Sequence, residues 1–349
     1  MMPGSFTRSV RLAGTVATLV TVAMLTSGCG EDPVAPGQGQ RLTLSLQNVS
    51  GVHPDQGTFE VWVHSGVDTV SVGRLPSSLT EAPIESFGFT VPLDRPAGVF
   101  ITLESPDDSD PRPSHSVFLK GTFSGSRADL ALEGAITDGR PLQPEPGAHS
   151  LFTTSNNAEL GYPSAEAAGL WLFTLIPSQN AHGTREVHLT PLNPGWTYEG
   201  WIVSQTSPEV WIPYGKFTPD ELGLLSSRDD TGTGPFSGAQ DYRNAGVEDV
   251  PGEEWTSSSV SDLLGLQLPA GLTTPLLLDG EDDAGNAMWR HVITVEPSFD
   301  LAEGLLAGRP FITRPYQNDI GSAGPGVPRR ILLMTERLPS AQVIEAPSD

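Results

Sequence analysis

The chain has 349 residues, enough for about two domains at roughly 150 residues each. Its 42 Asp and Glu against 19 Lys and Arg give a formal charge of −23, a field that repels phosphate backbones and anionic lipid surfaces and excludes nucleic-acid binding. Charged residues are only 17%, while 38 Gly and 32 Pro are far above the usual share, which points to short strands and many turns rather than long helices.

The N-terminus carries Arg8 and Arg11 and no acid, and an uncharged stretch follows from Leu12 to Gly28. This is the n-region and h-region of an export signal. At 17 residues the stretch is short of the roughly 20 that a spanning helix needs. The only cysteine, Cys29, closes the run Leu25-Thr26-Ser27-Gly28-Cys29. That run resembles the lipobox of bacterial lipoproteins, with Thr26 standing where a larger aliphatic residue is usual. The resemblance implies that residues 1–28 are a lipoprotein signal peptide and that the Cys29 thiol carries the lipid. The expected location is outside the cytoplasm, anchored to the outer membrane or to the outer face of the cytoplasmic membrane. The mature chain then keeps 17 basic and 42 acidic residues, a charge of −25, and no free thiol. Residues 29–40 have no apolar period and read as a tether.

From Arg41 the pattern has period two: Leu42, Leu44 and Leu46 alternate with Thr43, Ser45 and Gln47. Further strands are expected at Thr58 to His64, Asp68 to Leu75, Phe87 to Leu93, Val99 to Glu104, Ser116 to Thr122, Ala128 to Glu133 and Ser150 to Thr154. Clusters of Gly, Pro, Asp and Ser separate them. Short helical turns fit Ala165 to Gly169 and Ser259 to Leu264. Strands at this spacing predict an all-β chain, with two tandem Ig-like antiparallel β-sandwich domains. The expected boundaries are 41–160 for the first, 161–330 for the second with a polar insertion at 218–285, and a tail at 331–349.

The second half repeats the first. Phe59-Glu60-Val61-Trp62-Val63 matches Tyr198-Glu199-Gly200-Trp201-Ile202, Gly73-Arg74-Leu75 matches Gly215-Lys216-Phe217, and Phe100-Ile101-Thr102-Leu103-Glu104 matches Val292-Ile293-Thr294-Val295-Glu296. Three matches in one order indicate duplication, with the insertion between the second and third. Glu60 and Glu199, flanked by aromatics, are expected to anchor backbone N–H groups.

These same residues carry a family resemblance. The series Phe59–Val63, Val72–Leu75, Val99–Pro106 and Ser116–Phe123 resembles the extracytoplasmic C-terminal domain of anti-sigma-K factors of the RskA type. Gly195–Val203, Gly215–Phe217, Pro251–Trp255 and Val292–Pro297 resemble a variant of it in bacterial envelope proteins. The resemblance covers roughly residues 42 to 315. It implies a sandwich outside the cytoplasmic membrane and brings no catalytic residues. The helical sigma-binding part and the spanning helix of that family have no counterpart here, so sigma binding does not carry over.

Several residue groups bear on chemistry. Asp279, Glu281 and Asp283 have alternate spacing and offer weak calcium ligands, but Arg290 stands where a calcium loop needs its last Glu. Turn chemistry at Asp283-Ala284-Gly285-Asn286 makes a hairpin tip the expected role. Of the tryptophans, Trp62 and Trp201 sit mid-strand and are expected in the core, while Trp196 and Trp211 near turns are candidates for exposure and sugar stacking. The seven histidines are scattered without metal spacing, and there is no nucleophile elbow and no phosphate-binding loop. The sequence therefore predicts no cofactor and no enzyme. It predicts a binding or structural module, held to the membrane through lipidated Cys29, with an envelope protein or a glycan as partner. The alternatives are the sensory module of an anti-sigma-type system and a carbohydrate-binding surface protein.

Overall fold

In the computed structural model, residues 40–79, 86–93, 95–151, 166–172, 187–219, 221, 242–244, 247–255, 275–298, 310–324 and 326–346 are described. Cys29, the stretch before it and the expected helical turn at 259–264 lie outside them. Gln38–Asp349 form one compact unit. The strands in chain order are β1 (Gln40–Gln47), β2 (Thr58–Ser65), β3 (Asp68–Arg74), β4 (Ser86–Val91), β5 (Gly98–Glu104), β6 (Val117–Ser124) and β7 (Arg127–Ala131). A one-turn helix α1 (Leu132–Ile136) follows, then β8 (Gly147–Leu151), β9 (Gly169–Trp171), β10 (Trp196–Ser204), β11 (Trp211–Phe217), β12 (Tyr242–Asn244), β13 (Val247–Val250) and β14 (Gly252–Glu254). The last are β15 (Trp289–Pro297), β16 (Tyr316–Asp319), β17 (Arg329–Ile331) and β18 (Ser340–Glu345). The chain is thus almost all β, and the pairings are antiparallel, as in a β-sandwich.

The largest sheet has the order β3-β2-β5-β6-β7-β18-β1-β4. Its two edges, β3 and β4, come back within contact range of each other, so the sheet folds over on its own apolar face. That face is the one the period-two pattern gives: Leu42, Leu44 and Leu46 of β1, Phe59, Val61 and Val63 of β2, and Val99, Ile101 and Leu103 of β5 are all buried. Each contributes about 1.5–3 kcal/mol relative to exposure. A second sheet has the order β11-β10-β15-β16, and a third β14-β9-β8-β17. Where the second meets the first, the core is continuous: Phe59 and Phe118 stack at 4.6 Å, and Trp196 and Phe311 stand 6.1 and 6.0 Å from Phe118.

The chain order of the strands does not follow the boundary expected at residue 160. β8 pairs with β9 and β17, both beyond that boundary. The segment expected as a tail, 331–349, contains β18, which lies between β7 and β1 in the first sheet. The physical reason is burial: Ala341 and Val343 face the core, and without β18 both neighbours would expose unpaired edges. Trp196 is buried rather than exposed, donating its indole N–H to the Val117 carbonyl at 3.0 Å.

Truncation after Leu338 removes β18. The expected outcome is loss of cooperative thermal unfolding by circular dichroism, where removal of a solvated tail would leave the melting curve unchanged.

Candidate functional site

The four strands β3-β2-β5-β6 and the four strands β11-β10-β15-β16 are built alike. In each, the outer strand carries one extra residue, Val72 in β3 and Tyr214 in β11, where the register shifts between Val61 and Trp62 and between Gly200 and Trp201. In each, the glycine next to that extra residue holds a positive φ, 133° at Gly73 and 130° at Gly215. That conformation is open to glycine at little cost. The tryptophan lies on the face away from the main core, since Phe59, Val61 and Val63 face inward and Trp62 alternates with them.

There the indole is held by a short polar chain. Trp62 Nε1 donates to Thr102 Oγ1 at 2.8 Å, and Trp201 Nε1 donates to Thr294 Oγ1 at 2.9 Å. Each threonine hydroxyl donates in turn to a buried carboxylate, Thr102 to Glu104 and Thr294 to Glu296, the latter at 2.5 Å. The carboxylates also accept backbone N–H groups, from Ser114 at 3.2 Å and Phe311 at 2.9 Å. Burial pushes the Glu104 carboxyl up, against the Thr102 hydroxyl and the Ser114 N–H that hold it down. Glu104 and Glu296 thus anchor backbone N–H groups, the role expected of Glu60 and Glu199. Glu60 instead accepts from the Ser71 hydroxyl and from Arg74 Nε at 3.1 Å.

The two meanders differ inside and outside. Inside, Val61, Val72 and Val99 of the first are matched by Gly200, Tyr214 and His291 of the second. The exchange is one of volume: a Cβ on Gly200 would fall 1.8 Å from Tyr214 Cζ, so the ring occupies the place of the missing side chain. Tyr214 Oη lies 2.8 Å from His291 Nε2, and the His291 ring meets His149 of β8 with centroids 4.5 Å apart. Both histidines are buried, and His149 Nδ1 and Nε2 and His291 Nδ1 have no hydrogen-bond partner among the described residues. Burial holds His291 down to about 3 and His149 well below its ordinary value, with the His291 ring and Arg329 adding to the effect on His149. Burial likewise pushes the Tyr214 phenol well up. The cluster is neutral at physiological pH. Sequence reasoning missed it because the two histidines are far apart in the chain; the available signal was that each stands within an apolar strand.

Outside, the second meander is closed. Trp201, Val203 and Val292 form a small buried cluster against Trp211, and Arg314 lies over the Trp211 ring at 4.6 Å. Arg290, opposite Val203, is tied to Glu209 at 2.5 Å. In the first meander the matching positions are His64, Phe100, Thr69 and Gly98, and the face is open. The His64 ring leans over Gly98, where a Cβ would come within 2.4 Å of Nε2. A cleft of about 580 Å³ lies on β6, β7 and α1, lined by Lys120, Gly121, Thr122, Ser124, Arg127, Asp129 and Gly134. Of the two candidates for exposure, Trp196 and Trp211, neither is fully exposed. Trp171, Trp196, Trp201, Trp255 and Trp289 are buried, and only Trp211 is half-buried.

Asp279, Glu281 and Asp283 do not converge, and among the described residues no group of three His, Cys, Asp or Glu is placed to hold a metal. The segment is a hairpin tip closed by the bridge between Glu281 and Ala287. Asp282, between the candidates, accepts the N–H groups of Ala284 and Asn286 at 2.9 and 2.8 Å. Among the described residues no helix is long and apolar enough to cross a membrane. No family model, no curated protein and no solved structure matches the chain.

Two outcomes are expected. Both histidines are neutral in the fold and protonate near 6.5 when unfolded, so their contribution is complete above pH 6.5 and drains as pH falls from there toward 3. Urea unfolding should lose on the order of 1 kcal/mol per histidine per pH unit in that window, and His149→Leu should flatten the slope. Separately, Thr294→Val leaves the Trp201 N–H without its acceptor and should cost about 1–3 kcal/mol in the same assay. Thr294→Ser should recover most of it.

Proposed function

We propose that the chain is an exported lipoprotein of the bacterial cell envelope, tethered through Cys29 and acting as a non-enzymatic binding module on the extracytoplasmic side. The location follows from the placement of the only cysteine at the end of an uncharged, export-like stretch. The likeness of both halves to the extracytoplasmic domain of RskA-type anti-sigma factors points the same way. A lipid on Cys29 and the tether to residue 40 would hold the acidic body near a membrane whose own negative charge repels it.

The observation that carries the binding part is the contrast between the two outer faces. The second meander closes its face with Trp211, Arg314 and Arg290. The first has His64, Phe100, Thr69 and Gly98 at the matching positions, and a cleft of about 580 Å³ lies on β6, β7 and α1 beyond them. A purely structural repeat gains from closing both, since an open polar face adds no burial. The duplication would have left one copy as scaffold and one as surface for a partner.

The test is fractionation of wild type and Cys29→Ala side by side in a bacterial host, followed by pull-down and mass spectrometry. Wild type is expected in the membrane fraction with the mass of a diacylglycerol on its N-terminal cysteine, and Cys29→Ala in the soluble exported fraction. A discrete envelope component should be recovered with both. If both variants are soluble and unlipidated, the anchor is wrong; if no component is recovered above a lipoprotein control, the binding role is wrong.

A further inference from the structure

We infer that the two halves are one eight-stranded unit used twice with the last strands exchanged, and that the slot between β7 and β1 accepts β18 of a second copy of the chain as it accepts the chain's own.

The exchange is read from the order of the strands. The bridge between Tyr316 and Leu333 joins β16 to the segment leaving β17, and the Met334 N–H donates to the Pro315 carbonyl beside it at 2.8 Å. The second and third sheets therefore run on as β11-β10-β15-β16-β17-β8-β9-β14. The end strands β11 and β14 come within contact range of each other, as β3 and β4 do in the first sheet. Against the first order, β3-β2-β5-β6-β7-β18-β1-β4, seven places match in chain order. The strands β1 to β7 correspond to β9, β10, β11, β14, β15, β16 and β17, with the hairpin β12-β13 inserted before β14. The eighth place is crossed. β8 follows β7 in the chain yet lies between β17 and β9, and β18 follows β17 yet lies between β7 and β1. Each connector carries one short helical turn, α1 after β7 and Thr335–Arg337 after β17. Each half thus holds the other's last strand.

The slot is defined by its walls and not by the connector. β18 pairs with β1 from Leu42 opposite Glu345 to Gln47 opposite Ser340, and with β7 from Arg127 opposite Ile344 to Ala131 opposite Ser340. Val343 stands between Leu44 and Ala128, and all three are buried. Both walls belong to the first half, whereas the strand arrives from the second half through residues 332–339. A β18 from another copy makes the same backbone pairs and fills the same core, so filling from within and from a second chain differ only in the connector. The connector is lightly held. Leu332, Thr335, Glu336 and Arg337 are exposed, and Leu333, Met334 and Leu338 are half-buried. Asn48, just past β1, steadies it by donating its side-chain amide to the carbonyls of Glu336 and Leu338 at 2.8 and 3.2 Å. The choice between the two fillings then falls to the effective concentration of the tethered strand, on the order of mM for a short flexible linker. Two chains that trade β18 fill both slots, so the assembly closes as a twofold dimer and does not grow into a filament.

The experiment uses the full chain with Cys29→Ala, so that introduced thiols are the only ones. Ser45 and Gln342 stand opposite each other across β1 and β18. One preparation carries Ser45→Cys and another Gln342→Cys. The two are unfolded in urea, mixed, refolded at about 5 μM or about 0.5 mM on either side of the tethered strand's reach, and oxidised. Light scattering after gel filtration and non-reducing electrophoresis give the readout. The lower concentration should give monomer, and the disulfide-linked pair should rise at least about tenfold at the higher one. Ser45→Cys refolded with itself should give no linked pair. Both substitutions in one chain should form the bond within the monomer at about 5 μM, and its absence overturns the strand exchange. Deleting Thr335–Arg337 removes about 10 Å of reach and should yield dimer even at about 5 μM. Monomer under every condition, the deletion included, overturns the second-copy assignment, as do dimers that lack the bond between positions 45 and 342.

Discussion

The aromatic junction of Phe59, Phe118, Trp196 and Phe311 is the contact on which the rest depends. Four large rings from strands and loops of both halves meet within 4.6–6.2 Å of one another. Two small sandwiches joined by a linker would each have to bury enough apolar surface alone. Here each half completes the other's core, and no disulfide is available to substitute, since the single cysteine lies at residue 29. The return of β18 to the first sheet has the same logic: the last strand of the chain lies between β7 and β1 and completes the sheet that the first strands begin.

Within that frame one backbone device is used twice. A bulge, a glycine with positive φ and an indole–hydroxyl–carboxylate chain recur with the same partners. The chain satisfies groups that are costly to bury alone, so it is retained as a unit. The positions around it differ. Where the first meander has inward valines the second has a glycine, a tyrosine and a histidine, a volume-conserving difference of the kind cores tolerate. The outward positions form a closed apolar patch in the second.

Much of the fold was legible in the sequence because a half-buried strand writes its burial directly as alternation. β2, β3, β5 and β6 fall within a residue or two of where the pattern places them. The matched Trp, Gly and Glu positions were legible as well. What alternation cannot say is which of two faces is the core. Trp62 and Trp201 are buried, as their mid-strand positions indicate, but on the outer face, covered by local neighbours rather than by the main core. Long-range closure was equally invisible. Ser340–Glu345 reads as a short half-polar segment, and only its neighbours β1 and β7 make it a central strand. The contact of His149 with His291 depends on β8 leaving the first half for the third sheet, which no local signal announces.

The charge pattern gives the open face its meaning. Most cations that the fold holds in place are already engaged. Arg74 is bound to Glu60, Arg112 to Asp110, Arg330 to Glu145, and Arg329 to the carbonyls of Ile320, Val327, Gly321 and Gly324. Exposed pairs of this kind add little stability, typically about 0–1 kcal/mol. Their larger effect is to cancel positive charge locally, so the net field stays strongly negative over the whole body. Long-range attraction of an acid is then opposed, and any recognition of one has to come from contact geometry at short range, within about one Debye length of ~8 Å. Lys120 lines a cleft with the hydroxyls of Thr122 and Ser124, and the matching strand of the second meander carries Gln317 in its place.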